Sequence, residues 1–252
     1  MTFPRFLRLS AAAALVVAAG APFATRAEAQ SMEDAETAYT EGRFFEAVEI
    51  AEALGTADGY ALATKSLAVY GYYLAAEEEK QALFQRAMEL GDMAIQADPA
   101  NPETHYQSAH ALGRYSQTIG AMTALRRGYG GRIRDFLEAT LARDSLHAEA
   151  HLALAGWHAD VVDRAGRMVA RITYGANRGE SNTHFERAME LRPDSRIVML
   201  EYALRLPLLK GREGRELQRD MMQRASELPL GDAYDRLVQE RLLRELEALE
   251  GG

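Results

Sequence analysis

Asp98-Pro99-Ala100-Asn101-Pro102-Glu103 is the stretch that decides how the chain folds. Pro99 cannot continue a helix, whereas Asn101 can cap the free amides of one and Pro102 supplies the fixed φ of a first helical turn. One helix therefore ends near Asp98 and the next begins at Pro102. The same punctuation returns, without the second proline, at Asp144-Ser145-Leu146-His147-Ala148-Glu149-Ala150, and again at Arg192-Pro193-Asp194-Ser195-Arg196. Pro99 to Ser145 is 46 residues and Ser145 to Pro193 is 48. One period earlier, Gly55-Thr56-Ala57-Asp58-Gly59 forms another turn-rich break. A fixed period of this size marks stacked helical hairpins, none of which can bury its apolar face alone.

Between the breaks the composition is helical. Alanine, leucine, glutamate and arginine dominate, β-branched residues are sparse, and no long stretch alternates apolar with polar. Apolar positions recur at three and four, as in Phe84, Ala87, Met88, Gly91, Ala94 and Ile95. The expected fold is all-α: a right-handed solenoid of antiparallel helical hairpins with a 44–48 residue period and about nine or ten helices. Pro102 to Arg127 and His147 to Ile172 both read as continuous first helices, each ~38 Å long at 1.5 Å per residue. Toward the C-terminus, Gly211-Arg212-Glu213-Gly214 starts a shorter hairpin and Pro229-Leu230-Gly231 precedes a last helix. That helix is expected to present Leu237, Leu242, Leu243, Leu246 and Leu249 inward. Arg236 with Glu240, and Arg241 with Glu245, are expected on its wet side. It would cap the solenoid, or offer the same leucines to a second copy of the chain.

Residues 1–29 read as a secretory signal: Arg5 and Arg8, then apolar Ala11 to Ala19, and Ala27-Glu28-Ala29 at the cleavage position. The apolar run is shorter than the ~20 residues a transmembrane helix needs. The expected organisation is thus a signal peptide (1–29), a repeat domain (30–230) and a capping helix (231–252), with the processed chain soluble in the periplasm. There is no cysteine, which excludes disulfides, thiolate metal sites and a lipid-anchoring thiol. The formal charge is −8. Its three lysines, Lys65, Lys80 and Lys210, leave arginine to carry nearly all the positive charge. Nucleic acid is excluded as a partner, because phosphate contacts need clustered basic residues on a basic protein.

Several positions inside the units resemble the tetratricopeptide repeat (TPR) family. Gly42-Arg43-Phe44 with Ala47, Val48 and Ala51 looks like the turn and second helix of such a repeat; Ala87, Gly91, Ala94 and Pro99, then Phe185, Ala188 and Pro193, match its small-residue and terminal-proline positions. Ser181 replaces the usual alanine. His105 and His151 stand where the family has tryptophan, and Ala109 and Ala155 where it has glycine. The resemblance covers roughly residues 32 to 205, but a standard repeat has ~34 residues. Units with extended first helices and a Tyr-Gly turn are similar to two groups. One is the periplasmic TPR proteins associated with TRAP-type solute transporters. The other is the regulator-of-microtubule-dynamics family, through Gly156-Trp157, Arg171, Tyr174-Gly175 and Thr183 to Leu191.

Arg126-Arg127-Gly128-Tyr129-Gly130 and Arg171-Ile172-Thr173-Tyr174-Gly175 close the two long helices 45 residues apart. Two readings compete. Arginine and glycine there form an ordinary helix C-terminus, which accounts for every residue; or the forked guanidiniums, thickened by Arg167, gather carboxylate or phosphate at one edge. His147 and His151, four apart, have metal-ligand spacing, but the order H-A-E-A-H lacks the zinc-protease glutamate, and core or cap histidines are the simpler reading. No metal and no other cofactor is expected. Trp157 packs between hairpins or anchors a ligand. Tyr106 and His110, one turn apart on a first helix, face the concave side if first helices line it, as they do in TPR proteins. No nucleophile elbow, phosphate loop or dinucleotide fingerprint occurs. The expectation is a non-catalytic binding protein with Tyr106, His110, Arg126, Arg127, Tyr129, Trp157, Arg167, Arg171 and Tyr174 as contact residues. Its partner is a protein or peptide held in the concave face. The alternative is a small anionic solute or lipid bound for a neighbouring transporter.

Overall fold

A computed structural model describes residues 31–251. The signal-peptide reading of residues 1–29 lies outside them. The fold is all-α, with twelve α-helices and no strand among the described residues. They pair as α1 (Met32–Glu41) with α2 (Phe44–Ala53), and α3 (Ala57–Tyr73) with α4 (Glu77–Ala97). The third hairpin is α5 (Pro102–Thr118), a short α6 (Ala121–Arg126) and α7 (Tyr129–Arg143). The fourth is α8 (Ala148–Ala165), a short α9 (Arg167–Val169) running into a π-turn (Ala170–Tyr174), and α10 (Arg178–Leu191). The chain ends in α11 (Arg196–Ser226), folded at Gly211 into two arms, and α12 (Ala233–Glu250).

Caps fix the helix starts. Ser31 and Asp34 form a reciprocal capping box, Thr56 Oγ1 accepts from the Gly59 amide, and Asn101 Oδ1 accepts from the Glu103 amide at 2.9 Å with Pro102 behind it. At the next break the cap is His147, whose Nδ1 accepts from the Ala150 amide at 3.1 Å. Small residues then let helices approach. A Cβ on Gly71 would stand 2.6 Å from Phe84, and one on Gly91 would stand 2.7 Å from Ser108 Oγ. Ser181 is fully buried and donates to the Ala155 carbonyl at 2.8 Å, so its hydroxyl occupies the alanine position without an unmet hydrogen bond.

The two long first helices are not continuous. Gly120 (φ 81°, ψ 147°) ends the α5 segment and Gly166 (φ 75°, ψ 153°) ends α8. This backbone region is essentially closed to residues with a Cβ, so each glycine turns the chain sharply before a short helix begins. These two breaks raise the helix count above the nine or ten expected. The left-handed caps follow at Gly128 and Gly175, so the two Tyr-Gly pairs are not structurally equivalent: Gly130 is helical, inside α7.

First helices line the inside of the stack, and α12 lies across it. Ala233, Tyr234 and Leu237 pack on the cluster formed by the first two hairpins. Val238 and Leu242 pack against α11 through Met199, Leu200, Ala203 and Met222. The last helix thereby bridges both ends of the curl as well as covering α11. Two of its expected faces change. Leu243 is exposed, and Arg241 turns inward to pair with Glu201, because the inner surface it meets is polar.

Candidate functional site

The concave side holds a cavity of about 330 Å³ lined from α3, α5, α6, α7, α8, α11 and α12. Helix α5 contributes Tyr106, His110 and Arg114, four residues apart and therefore on one face. Helix α8 adds Trp157 and Asp160, α11 adds Glu201 and Arg205, and α12 adds Tyr234 and Arg241. Tyr106 and His110 are stacked rings with centroids 6.2 Å apart. Trp157 both packs and lines: it is nearly buried, and its Nε1 donates to the Gly130 carbonyl at 2.9 Å, tying α8 to the start of α7.

The charged floor is mostly self-compensated. Glu201 pairs with Arg205 and, at 2.6 Å, with Arg241; Arg205 also reaches Asp160 at 3.5 Å. Burial pushes the Glu201 carboxyl up, but Arg205 and Arg241 outweigh it and hold the group down to about 2. Asp160 is raised, because burial exceeds the pull of Arg205. Arg114 is different. Its guanidinium lies 3.6 Å from the centroid of the Tyr72 ring, and among the described residues no carboxylate comes within ion-pair distance of it.

Arg114 Nε donates to His110 Nε2 at 3.3 Å, which makes Nε2 the acceptor and places the His110 proton on Nδ1. That Nδ1 is buried without a partner. Burial, reinforced by Arg114 and Lys65, drives the His110 pKa down to about 3, so the ring stays neutral near pH 7. An unpaired guanidinium and an unmet N–H donor thus stand one turn apart on α5. The guanidinium, which lines the cavity, is suited to an acceptor-rich anion.

Of the contact residues expected from sequence, the cavity brings together Tyr106, His110 and Trp157. Arg126, Arg167 and Arg171 are exposed outside it, on the short helices and the π-turn. Arg127 is the C-cap residue of α6, its Nη1 3.5 Å from the Tyr115 hydroxyl. Tyr129 packs against Tyr115, and the Tyr174 carbonyl accepts from Arg134 Nη1 at 3.3 Å. Sequence reading missed Arg114, Glu201, Arg205 and Arg241. The 4-residue spacing of Tyr106, His110 and Arg114 was the available signal for the first. His147 and His151 take separate partners, Glu103 at 3.1 Å and the Ser145 carbonyl at 3.1 Å. No metal-holding group of three His, Asp or Glu side chains forms among the described residues.

The family model of regulator of microtubule dynamics protein 1-3 matches residues 27–250, which takes in every helix described above. The chain belongs to that family. The match spans the stretch around Gly156-Trp157, Tyr174-Gly175 and Thr183 to Leu191 and extends through α11 and α12, so the closing helix is part of the family's extent. Among curated proteins, none matches the chain. Among its described residues, no helix is long and apolar enough to cross a membrane.

Proposed function

We propose that this family member is a non-catalytic binding protein whose ligand presents a carboxylate or phosphate to Arg114 inside the central cavity. The observation that carries the reading is the Arg114 guanidinium, stacked on Tyr72 in the cavity wall with no carboxylate within ion-pair distance among the described residues. A half-buried cation with no direct ion pair, sharing Glu201 at a distance with Arg205 and Arg241, is under-compensated, and an anionic ligand reduces that cost. Tyr106, Trp157 and Leu137 give the rest of the ligand an apolar wall. The hairpin stack resembles TPR-type proteins although its period is longer, and the secretory pattern of residues 1–29 makes the periplasm the expected compartment.

With α12 lying across the concave side, a cavity-sized ligand is favoured over a long peptide threaded along it. Native mass spectrometry of the protein purified gently from its own cells tests the reading. A small extra mass that is lost on denaturation, and missing from Arg114→Ala, supports it. A bare chain, a mass retained by Arg114→Ala, or a bound polypeptide would count against it, the last in favour of a protein partner.

A further inference from the structure

Charge is segregated in this acidic chain. Residues 104–134 contain five arginines and no acid, and residues 164–179 contain four arginines and no acid, although the whole sequence carries −8. These segments include the two short helices that the glycine breaks create. Each is pinned inward by a buried alanine, Ala124 in α6 and Ala170 at the start of the π-turn. Each then turns large apolar side chains outward: Met122 is 67% exposed, Met168 75%, Val169 50% and Ile172 78%. The two elements share one end of the stack. Arg134, in the first turns after α6, bonds the Tyr174 carbonyl, and Leu125 of α6 lines the same cavity as Ala165 just before α9.

We propose that this edge docks on an anionic lipid bilayer, with Met122, Met168, Val169 and Ile172 entering the headgroup layer and Arg126, Arg167 and Arg171 meeting lipid phosphates. The apolar side chains are exposed on two short helical elements, interspersed with arginines. Exposed apolar groups interspersed with arginine suit a fluid, negatively charged surface that closes around them, whereas a folded partner would need matching pockets. With no spanning helix among the described residues, attachment is peripheral and reversible. The inference stands apart from the cavity reading, since Arg114 takes no part in it.

Vesicle co-sedimentation tests it, using the chain as purified from its own cells. Phosphatidylcholine vesicles with about a third phosphatidylglycerol are compared with pure phosphatidylcholine, which carries no net charge to attract the arginines. The protein is expected to bind the anionic vesicles and scarcely the neutral ones. Met168→Ser/Ile172→Ser is expected to weaken that binding about ten-fold. Arg126→Ala/Arg167→Ala/Arg171→Ala is expected to weaken it about a hundred-fold. All five side chains are exposed, so neither variant should shift the melting temperature. Equal binding to both vesicle types, no binding, or anionic binding unchanged in either variant overturns the proposal. Loss in the arginine variant with the serine variant unaffected overturns it in favour of surface electrostatics without insertion. Because the chain has no cysteine, a dye on Ile172→Cys gives a second readout. Its emission should shift blue and be quenched by brominated lipid, while a dye on Leu146→Cys, at the far end of α7, should do neither. An equal response at both positions would also overturn it.

Discussion

His151 Nδ1 and His184 Nδ1 lie 2.8 Å apart, joining α8 to α10. The Ser145 carbonyl, which can only accept, holds the proton of His151 on Nε2, so the His184 ring must donate across the gap. The pair can take up one further proton but not two. Burial lowers the pKa of both rings. It lowers His158, stacked on His184, to about 4, and His110 in the cavity to about 3.

These shifts set an acid limit. Each of these histidines binds protons more readily unfolded than folded, so stability is full above pH ~6.5 and falls as pH drops below it. At pH 4.5, His110 and His158 should each cost on the order of 2 kcal/mol. His147 works the other way: burial pulls it down, but Glu103 outweighs burial and leaves it raised, so its contribution is lost as pH rises. Urea denaturation between pH 7.5 and 4.5 should show a falling midpoint that starts near pH 6.5. A midpoint flat to pH 5 would contradict the assignment.

Arg196 is the largest fully buried side chain, 2% exposed. It donates to the Ala225 and Leu228 carbonyls at 3.2 and 2.6 Å and pairs with Asp235, tying both arms of α11 to α12. Arg196→Met should lower unfolding free energy by about 3 kcal/mol, because the Ala225 and Leu228 carbonyls each lose a guanidinium donor and Asp235 loses its counter-charge. Asp235→Asn, at a more exposed position, should cost less. Chemical denaturation measures both, and equal effects would argue against the buried cation as the organising group.

Gly166 and Gly131 should respond oppositely to one methyl group. Gly166→Ala forces a Cβ into φ 75°, ψ 153° and should destabilise by about 1–3 kcal/mol. Gly131 is helical, within α7, with open space where a Cβ would go, so Gly131→Ala should stabilise by about 0.5 kcal/mol. Thermal melts of the two variants, compared with the parent, decide it. Similar melting temperatures would mean that the break after α8 is not set by its glycine.

The secretory pattern of residues 1–29 has its own test. N-terminal sequencing of the protein from its own cells should begin at Gln30. A chain that still begins at Met1 would remove the expected compartment while leaving the cavity reading untouched.

Helix type, hairpin repeat and most helix ends were legible in the sequence because they depend on local groups. Asn101 and Pro102 start a helix wherever they stand, and the period of the breaks shows through any tertiary detail. His105 and His151, 46 residues apart, each bring Nε2 to the carbonyl six residues before, at 2.9 and 3.1 Å, and repeat the same local device. Gly120 and Gly166 do not stand out as breaks in the sequence, because a glycine inside a helical pattern is usually tolerated. Only their backbone angles identify them as breaks.

The inner surface was not legible in this way. Arg241 and Glu245 have the spacing of a solvent-exposed ion pair, and nothing local distinguishes an arginine facing water from one facing Glu201 across the curl. Arg114 reads as one more helical arginine until α3 sets Tyr72 beneath it and α12 closes the cavity beside it. The sequence by itself determined an all-α chain of repeated hairpins, since propensity, caps and period are set by neighbours in the chain. Tertiary packing sets which charges meet, and leaves Arg114 in the cavity wall with no carboxylate at ion-pair distance among the described residues. A charge's cost depends on the groups around it in space, and those come from helices as far apart as α3 and α12.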